Sequence, residues 1–198
     1  ADGSVHLPLD REGLMASAQA LVADGVEAIA VVFLHAYANA AHEREALALL
    51  GGAFPDLSLS ISSDVAPEVR EFERASTTVT NAYVKPLAER YLDQLAARAA
   101  ELGISAPLHL MLSAGGLTHL NEAKRVPVEM LESGPAAGAL VAAFFGRELM
   151  TVDDPGDLLA LDMGGTTAKL AMVEDGEPRT TYAFEAARQK TTVVEQPA

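Results

Sequence analysis

The stretch from Leu158 to Val173 (LLALDMGGTTAKLAMV) combines two apolar runs with a short polar turn. Asp162 lies at the end of the first run, and Gly164 and Gly165 follow it closely. Because glycine has no Cβ, the backbone at such a pair can turn tightly and bring its N–H groups close to an anion. A carboxylate at the end of a buried strand can hold a Mg²⁺ ion, usually through water, and the ion screens phosphate charge. The pattern predicts one half of a site for nucleotide phosphates.

Three polar side chains follow the glycine pair. Thr166 and Thr167 supply hydroxyl donors at the same turn. Lys169 lies on the same strand face as Thr167, from which it can reach either a phosphate or a carboxylate. A glycine pair alone is typical of an ordinary hairpin, but the preceding acid and the following threonines favour phosphate binding.

Two further glycine-containing segments are candidates for the same site. Ser133 and Gly134 precede Pro135, which is favoured in the first turn of a helix because it has no N–H to leave unpaired. The small residues that follow allow close helix packing, which is the ordinary interpretation of such a segment. Gly115 and Gly116 follow an apolar run, where a plain turn and a ligand-binding turn are equally compatible with the sequence.

Alternating helices and strands are expected to position these segments. Hydrophobic periodicity and capping residues predict helices from Asp10, over 42–50, over 77–102 and over 135–149. Apolar runs predict strands over 27–34, 57–61, 108–112, 158–162, 167–173 and 180–184. Helix–strand alternation followed by a hairpin predicts an α/β fold with a mixed sheet flanked by helices.

The long helix carries the remaining candidates. Its apolar residues recur every four positions and include Tyr83 and Tyr91, which we expect to be core or interface residues. The charged residues over 68–74 are typical of a solvated helix face. The alternative is a surface that contacts a substrate-binding lobe or another subunit. Ser76–Thr78 are predicted to cap the helix, and His109 is predicted to be a core histidine.

Composition excludes several classes of function. The chain has 198 residues, a formal net charge of −14 and no cysteine. The charge argues against a nucleic-acid partner, and the lack of thiols excludes disulfides and thiolate metal sites. No apolar run reaches the length of about 18 residues that indicates a membrane-spanning helix, and the start has no signal-peptide pattern. We expect a cytoplasmic protein, and a chain processed or excised from a longer one.

Five stretches in chain order resemble the hydantoinase A / 5-oxoprolinase / acetone carboxylase family. They are GVEAIAVVFLHAYANAAHE (25–43), SSDVAPEVREFERASTTVTNAYVKPL (62–87), LMLSAGGL (110–117), ESGPAAGA (132–139) and LDMGGTTAKL (161–170). The resemblance implies part of an actin/hexokinase/Hsp70-like (ribonuclease H-like) ATPase fold, with the last stretch as its second phosphate motif. It assigns residues 1–75 to the C-terminal part of the hydantoinase A N-terminal domain and 76–198 to the N-terminal part of the ATPase domain.

The same resemblance implies an activity. Family members use ATP to activate an amide, lactam or ketone for cleavage or carboxylation, commonly with a B-type subunit. ATP and Mg²⁺ are therefore the expected cofactors, and Asp162 is the expected catalytic and metal-binding residue. The expected nucleotide-binding residues are Gly115, Gly116, Ser133, Gly134, Gly164, Gly165, Thr166, Thr167 and Lys169.

Two points remain open in the sequence. Only one Asp-x-Gly-Gly motif is present where the family has two, so we expect an A-subunit fragment that is inactive alone. The family often has Asp at the position of Lys169, which leaves an acidic role there in doubt. The alternative to an enzyme is a nucleotide-gated, actin-like binding or assembly module without small-molecule chemistry.

Overall fold

The computed structural model describes residues 3–149, 156–165, 168–180, 183–185 and 193–195. They belong to two compact units. Unit 1 contains the described residues within 3–106, 124–128, 183–185 and 193–195, and unit 2 those within 107–123 and 129–180. Among the helices of these residues, none combines the length and the apolar character needed to cross a membrane.

Unit 1 is built around a parallel strand pair. Its elements are α1 (Arg11–Ala23), β1 (Ala28–Val31), α2 (Ala41–Ala53), β2 (Ser58–Ile61), α3 (Ser62–Val65), α4 (Glu71–Glu101), β8 (Ala183–Glu185) and β9 (Val193–Glu195). Strands β1 and β2 pair in parallel, with Ala28 opposite Ser58, and α2 makes the crossover that parallel pairing requires. Strands β8 and β9 form an antiparallel pair. The predicted boundary at residue 75 lies within α4 and remains a prediction about family domains.

The start of α1 shows how the sequence fixes an element locally. The carboxylate of Asp10 accepts a hydrogen bond from the Gly13 N–H at 3.0 Å, so the predicted cap is confirmed. The apolar side of α1 then packs with the strands and α2 in one core cluster. Its buried members are Ala18, Val31, Ala46, Leu50, Leu59 and Ile61.

Helix α4 buries the face opposite to the one its apolar pattern predicts. Tyr83 is 85% exposed and Tyr91 is 63% exposed, so their prediction as core residues is wrong for the described chain. The buried face carries Thr77, Thr78 and Asn81. These side chains tolerate burial because they find partners; the Asn81 amide, for example, donates to Ser60 Oγ at 3.0 Å and accepts from the Val128 N–H at 3.1 Å.

The predicted cap at Ser76–Thr78 is also wrong, because these residues lie inside α4. The helix begins earlier, and Arg70 occupies the N-cap position without a side-chain capping bond. Pro86 lies within the same helix, which runs on through it to Glu101.

A buried polar network ties α4 to the rest of unit 1. The Glu43 carboxylate accepts hydrogen bonds from Phe33 N at 2.8 Å, Ser62 Oγ at 2.6 Å and Ser63 N at 2.7 Å. The Arg74 guanidinium donates to Ser62 Oγ at 2.8 Å and to Phe33 O at 2.9 Å. Glu43 and Arg74 are each 1% exposed. Two buried charges of opposite sign are thus joined through one hydroxyl, which links α2, α3 and α4 to the chain after β1.

Unit 2 consists of antiparallel hairpins and one long helix. Its elements are β3 (His109–Met111), β4 (Leu117–His119), α6 (Ser133–Leu149), β5 (Leu158–Met163), β6 (Ala168–Glu174) and β7 (Glu177–Pro178). Helix α5 (Leu120–Arg125) and a 3-10 helix (Pro127–Met130) lie between β4 and α6 along the chain. The predicted α/β class is confirmed; where the sequence predicted a mixed sheet, the parallel and antiparallel strand pairs of the described residues lie in separate small sheets.

The β3–β4 hairpin corrects one further prediction. His109 is exposed, and its ring lies 4.6 Å from the ring of His119 on the opposite strand. A two-stranded ribbon leaves part of its surface open, so an apolar run here does not bury every residue. The prediction of a core histidine is therefore wrong.

The Glu43 network gives a stability prediction. Glu43→Ala in the 198-residue chain should lower the free energy of unfolding by about 3 kcal/mol, because Arg74 is left buried without its anionic counterpart. Glu45→Ala on the same helix is the matched control. The Glu45 side chain is 32% exposed and, within the described ranges, its ion pair is with the exposed Arg11, so its loss should change the free energy by less than about 1 kcal/mol. Urea unfolding followed by circular dichroism measures both, and equal midpoints would contradict the prediction.

Candidate functional site

The β5–β6 hairpin places Asp162 directly opposite Lys169. The strands pair from Leu158 with Val173 to Met163 with Ala168, so the glycine turn lies just beyond Asp162, at the end where the chain passes from β5 to β6. Side chains along β5 alternate between half-buried and exposed, with Asp162 on the half-buried face. Asp162 and Lys169 therefore lie together near the turn.

Helix α6 packs closely on that half-buried face. A Cβ placed on Gly138 would lie 3.8 Å from Asp162 Cβ, and one on Gly146 would lie 3.3 Å from Leu158 Cγ. The later part of α6 is held by Arg147, which donates two hydrogen bonds to Gly176 O at 2.7 and 3.0 Å. The helix therefore starts at the glycine-turn end of the hairpin, and small residues permit the close packing predicted for it.

Lys169 forms an ion pair with Glu132, the residue immediately before α6. Of the two partners that the sequence allowed for Lys169, the described structure shows a carboxylate. The Glu132 N–H donates to Ser113 Oγ at 3.0 Å, and the Ser113 N–H donates to Glu129 O at 2.7 Å. Glu132 thus connects the hairpin to the chain after β3.

Sequence reasoning did not single out Glu132. The two residues that follow it, Ser133 and Gly134, were candidates because they lie at the start of the small-residue helix. The available signal was an acidic residue one position before that helix, with a lysine of opposite charge on the following hairpin.

The glycine turn is open. Gly164 and Gly165 are exposed. Apart from the residues directly before and after Gly165, no described residue has an atom within 4 Å of the position that a Cβ on Gly165 would take. The Asp162 side chain is half-buried, and within the described part of the chain it has no hydrogen bond or ion pair. Thr166 and Thr167 lie outside the described residues. An accessible turn beside an uncommitted carboxylate is the arrangement that binding of a hydrated cation and a phosphate would need.

The Gly115–Gly116 turn has a packing role. Gly115 adopts φ +86, and a Cβ there would lie 3.3 Å from Leu140 Cδ1 on α6. The Leu112 N–H closes the turn by donating to Gly116 O at 2.8 Å. Gly115 is therefore needed both for backbone conformation and for close approach to α6, whereas the space beside Gly116 is open.

The donor set suits Mg²⁺ better than a metal held by protein ligands alone. Within the described ranges, no three His, Cys, Asp or Glu side chains lie close enough to hold a metal ion together. Mg²⁺ commonly keeps several waters and uses one or two carboxylates together with substrate phosphates. A single half-buried Asp162 beside an open glycine turn fits that requirement.

Two family models match the chain. Hydantoinase/oxoprolinase matches residues 74–195, and the hydantoinase/oxoprolinase N-terminal region matches residues 1–52. An uncharacterized protein of Methanocaldococcus jannaschii is 34% identical over 93% of the chain and 27% of its own length.

Two solved structures resemble the chain. The ATP-dependent caprolactamase of Pseudomonas jessenii is 30% identical with a TM-score of 0.75, over 88% of this chain and 25% of that one. Nucleotide-free acetone carboxylase is 24% identical with a TM-score of 0.75, over 87% of this chain and 24% of that one. At this sequence identity the similarity shows the fold alone. Both have an actin-like ATPase fold, so the predicted fold class is confirmed. The chain spans about a quarter of the length of these proteins.

The packing of α6 on β5 gives a second stability prediction. Gly146→Ala should destabilise the chain by about 1–2 kcal/mol, because the new methyl group overlaps Leu158 and displaces β5. Gly138→Ala is the control: its methyl group would meet Asp162 at ordinary contact distance, and alanine favours the helix, so the unfolding midpoint should stay or rise. Urea unfolding compares the two variants, and a midpoint for Gly146→Ala at or above that of the unmodified chain would rule out this account of the packing.

Proposed function

The chain belongs to the hydantoinase/oxoprolinase family, and from this membership we propose that it is part of the ATP-hydrolysing A subunit of an enzyme that activates a cyclic amide or a ketone. Relatives with this activity are about four times longer than the chain. The complete reaction is therefore assigned to the assembled enzyme, and the isolated chain is expected to bind ATP weakly or not at all. The family's domains divide the chain, on this proposal, into 1–75 and 76–198.

The observation that carries the proposal is the open glycine turn beside an uncommitted Asp162 and the start of α6. The first N–H groups of a helix have no partner within it, and the helix dipole places partial positive charge at this end. Phosphate groups bind at such ends for both reasons. Ser133 and Gly134 lie there, and Gly164 and Gly165 form the turn at the same end of the hairpin.

Each residue then has a role toward the phosphates. The N–H groups at Gly164 and Gly165, with the hydroxyls of Thr166 and Thr167, donate hydrogen bonds to phosphate oxygens. Asp162 would hold Mg²⁺ through its water ligands, and the ion would neutralise charge on the phosphates during phosphoryl transfer. Preorganised donors of this kind stabilise the transferring group because they need not reorient during the reaction.

Lys169 is assigned an indirect role. Its ion pair with Glu132 fixes the hairpin against the start of α6, and it lies opposite Asp162 in the strand pairing. Because the Glu132 carboxylate offsets the charge of Lys169, this lysine acts mainly by positioning the glycine turn. Gly115 and Gly116 bring the chain after β3 to the same helix, at the level of Leu140.

The proposed reaction activates a carbonyl group. The amide or ketone oxygen attacks the γ-phosphorus of ATP, and the bond to the leaving ADP breaks. For a cyclic amide, water then adds to the activated carbon and the C–N bond breaks, which leaves an amine and an acyl phosphate; a second water hydrolyses the acyl phosphate to a carboxylate and inorganic phosphate. A B-type subunit is the proposed partner, and the cytoplasm is the proposed location.

The proposal predicts that Asp162→Asn in the assembled enzyme lowers kcat for ATP hydrolysis by about 100-fold or more, because the ligand for Mg²⁺ loses its charge. Asp175→Asn is the matched control. Asp175 is an exposed residue of the turn between β6 and β7 at φ +53, a conformation that asparagine also adopts readily, so kcat should not change. Steady-state phosphate release measures both variants.

Retained turnover in Asp162→Asn, with an unchanged melting temperature, would remove Asp162 from the reaction. Dependence on substrate separates the enzyme from the assembly module. Stimulation of ATP hydrolysis by a hydantoin, 5-oxoproline or a ketone supports the enzyme, whereas stimulation by a protein partner alone supports the module.

A further inference from the structure

The chain segments that follow β1 and β2 meet at the carboxyl end of the parallel pair in unit 1. Phe33, just after β1, accepts a hydrogen bond from Arg74 of α4 at 2.9 Å. His35 Nδ1 lies 3.7 Å from Glu71 Oε1, at the first residue of α4. Ligands of open α/β sheets bind outside the carboxyl ends of the strands. The loop after β1 and the start of α4 thus lie where such a fold places ligands.

Two residues at this end hold unusual backbone conformations. His35 has φ +58 and Arg70 has φ +88, which side-chain-bearing residues rarely adopt. Arg70 is also the N-cap of α4, the longest helix of the described residues. Backbone strain that the surrounding structure maintains is typical of functional sites. The strained residue His35 lies beside Glu71.

The strained segments lie on a rigid buried base. Arg74 is 1% exposed and lies over the ring of Tyr37, with its Cζ 5.8 Å from the ring centroid. Tyr37 Oη lies 3.4 Å from His35 Nδ1. Among the described residues, Arg74 Nε is buried without a hydrogen-bond partner. The buried Arg74 guanidinium thus contacts Tyr37, and His35 lies between Tyr37 and Glu71.

The chemistry of these groups matches an amide. An amide offers one N–H donor and one carbonyl acceptor. Glu71 supplies a carboxylate acceptor, while the imidazole of His35 and the hydroxyl of Tyr37 supply donors. Apolar side chains flank the polar groups along the chain and are unusually exposed: Leu34 at 76%, Val69 at 63% and Phe72 at 59%. Polar groups that pair with an amide, next to apolar surface for ring methylenes, form a site for a cyclic amide.

We propose that His35, Tyr37 and Glu71 bind the cyclic amide that the enzyme activates. Glu71 accepts the amide N–H, His35 and Tyr37 contact the carbonyl oxygen, and Leu34 and Phe72 contact the ring. This assignment rests on the proposed function and adds the substrate-binding residues to it. The apolar residues alone would suit a protein partner equally well, but the polar trio on a buried base favours a small ligand.

Two conservative variants test the assignment in the assembled enzyme. Asparagine adopts positive φ readily, so His35→Asn removes the imidazole and keeps the backbone. Glu71→Gln keeps the shape and removes the charge. Glu101→Gln, at the other end of the same helix with a side chain 70% exposed, is the matched control. The probes are hydantoin, 5-oxoproline and ε-caprolactam, and the readout is cyclic-amide-dependent ATP hydrolysis at saturating ATP.

Both test variants should raise KM for the cyclic amide by about tenfold or more, because His35→Asn replaces the imidazole by a shorter side chain and Glu71→Gln replaces a charged acceptor by a neutral one. KM for ATP, substrate-independent ATP hydrolysis and the melting temperature should match those of the unmodified enzyme and of Glu101→Gln. An unchanged KM for the cyclic amide in both variants would overturn the site and leave the proposed function standing. If a variant loses subunit assembly on size exclusion while its KM for the cyclic amide is unchanged, this surface binds a protein partner. That result would also overturn the proposed substrate site. If no cyclic amide stimulates the unmodified enzyme, the site fails; the proposed function fails with it only if ketones give no stimulation either.

Discussion

The close approach of α6 to β5 is the constraint on which the phosphate site depends. Gly138 and Gly146 face the strand where any larger residue would meet Asp162 or Leu158. Because the helix lies so near the sheet, its first turn reaches the same end of the hairpin as the glycine turn. The ion pair between Glu132 and Lys169 then joins the two segments at that end. A helix held further away would separate its N–H groups from Asp162 and divide the site.

Unit 1 is organised by a different interaction, a buried pair of charges joined through Ser62. Burying a carboxylate and a guanidinium is costly unless their hydrogen bonds are satisfied, and Glu43 accepts three such bonds. The donors come from the chain just after β1 and from α3, so the network fixes the chain at the carboxyl ends of both parallel strands. The strained conformations of His35 and Arg70 depend on this fixed base. A polar core of this kind favours one arrangement of the loops, which apolar packing alone would not specify.

Local chemistry in the sequence predicted most elements, and tertiary packing decided the rest. The cap at Asp10, the small-residue helix and the two strands around the glycine pair follow from capping, residue size and apolar runs. The buried face of α4 does not, because periodicity identifies two faces without saying which is inward. Thr77, Thr78 and Asn81 form the inward face. Thr78 donates to Arg74 O within α4, and Asn81 pairs with Ser60 and Val128 elsewhere in unit 1. Glu132 was missed for a similar reason, because its partner lies 37 residues away in sequence.

The hairpin itself shows why hydrophobicity was a weak guide to the site. Its more apolar face is exposed and carries Leu159, Leu161, Met163, Leu170 and Met172. The face against α6 carries the small side chains of Ala160 and Ala171 between its larger residues. A shift of one residue in the register would turn the large side chains toward the helix, which the short distance between helix and sheet does not allow. Residue size therefore sets the register, and this register brings Asp162 and Lys169 to the side of the hairpin where α6 begins.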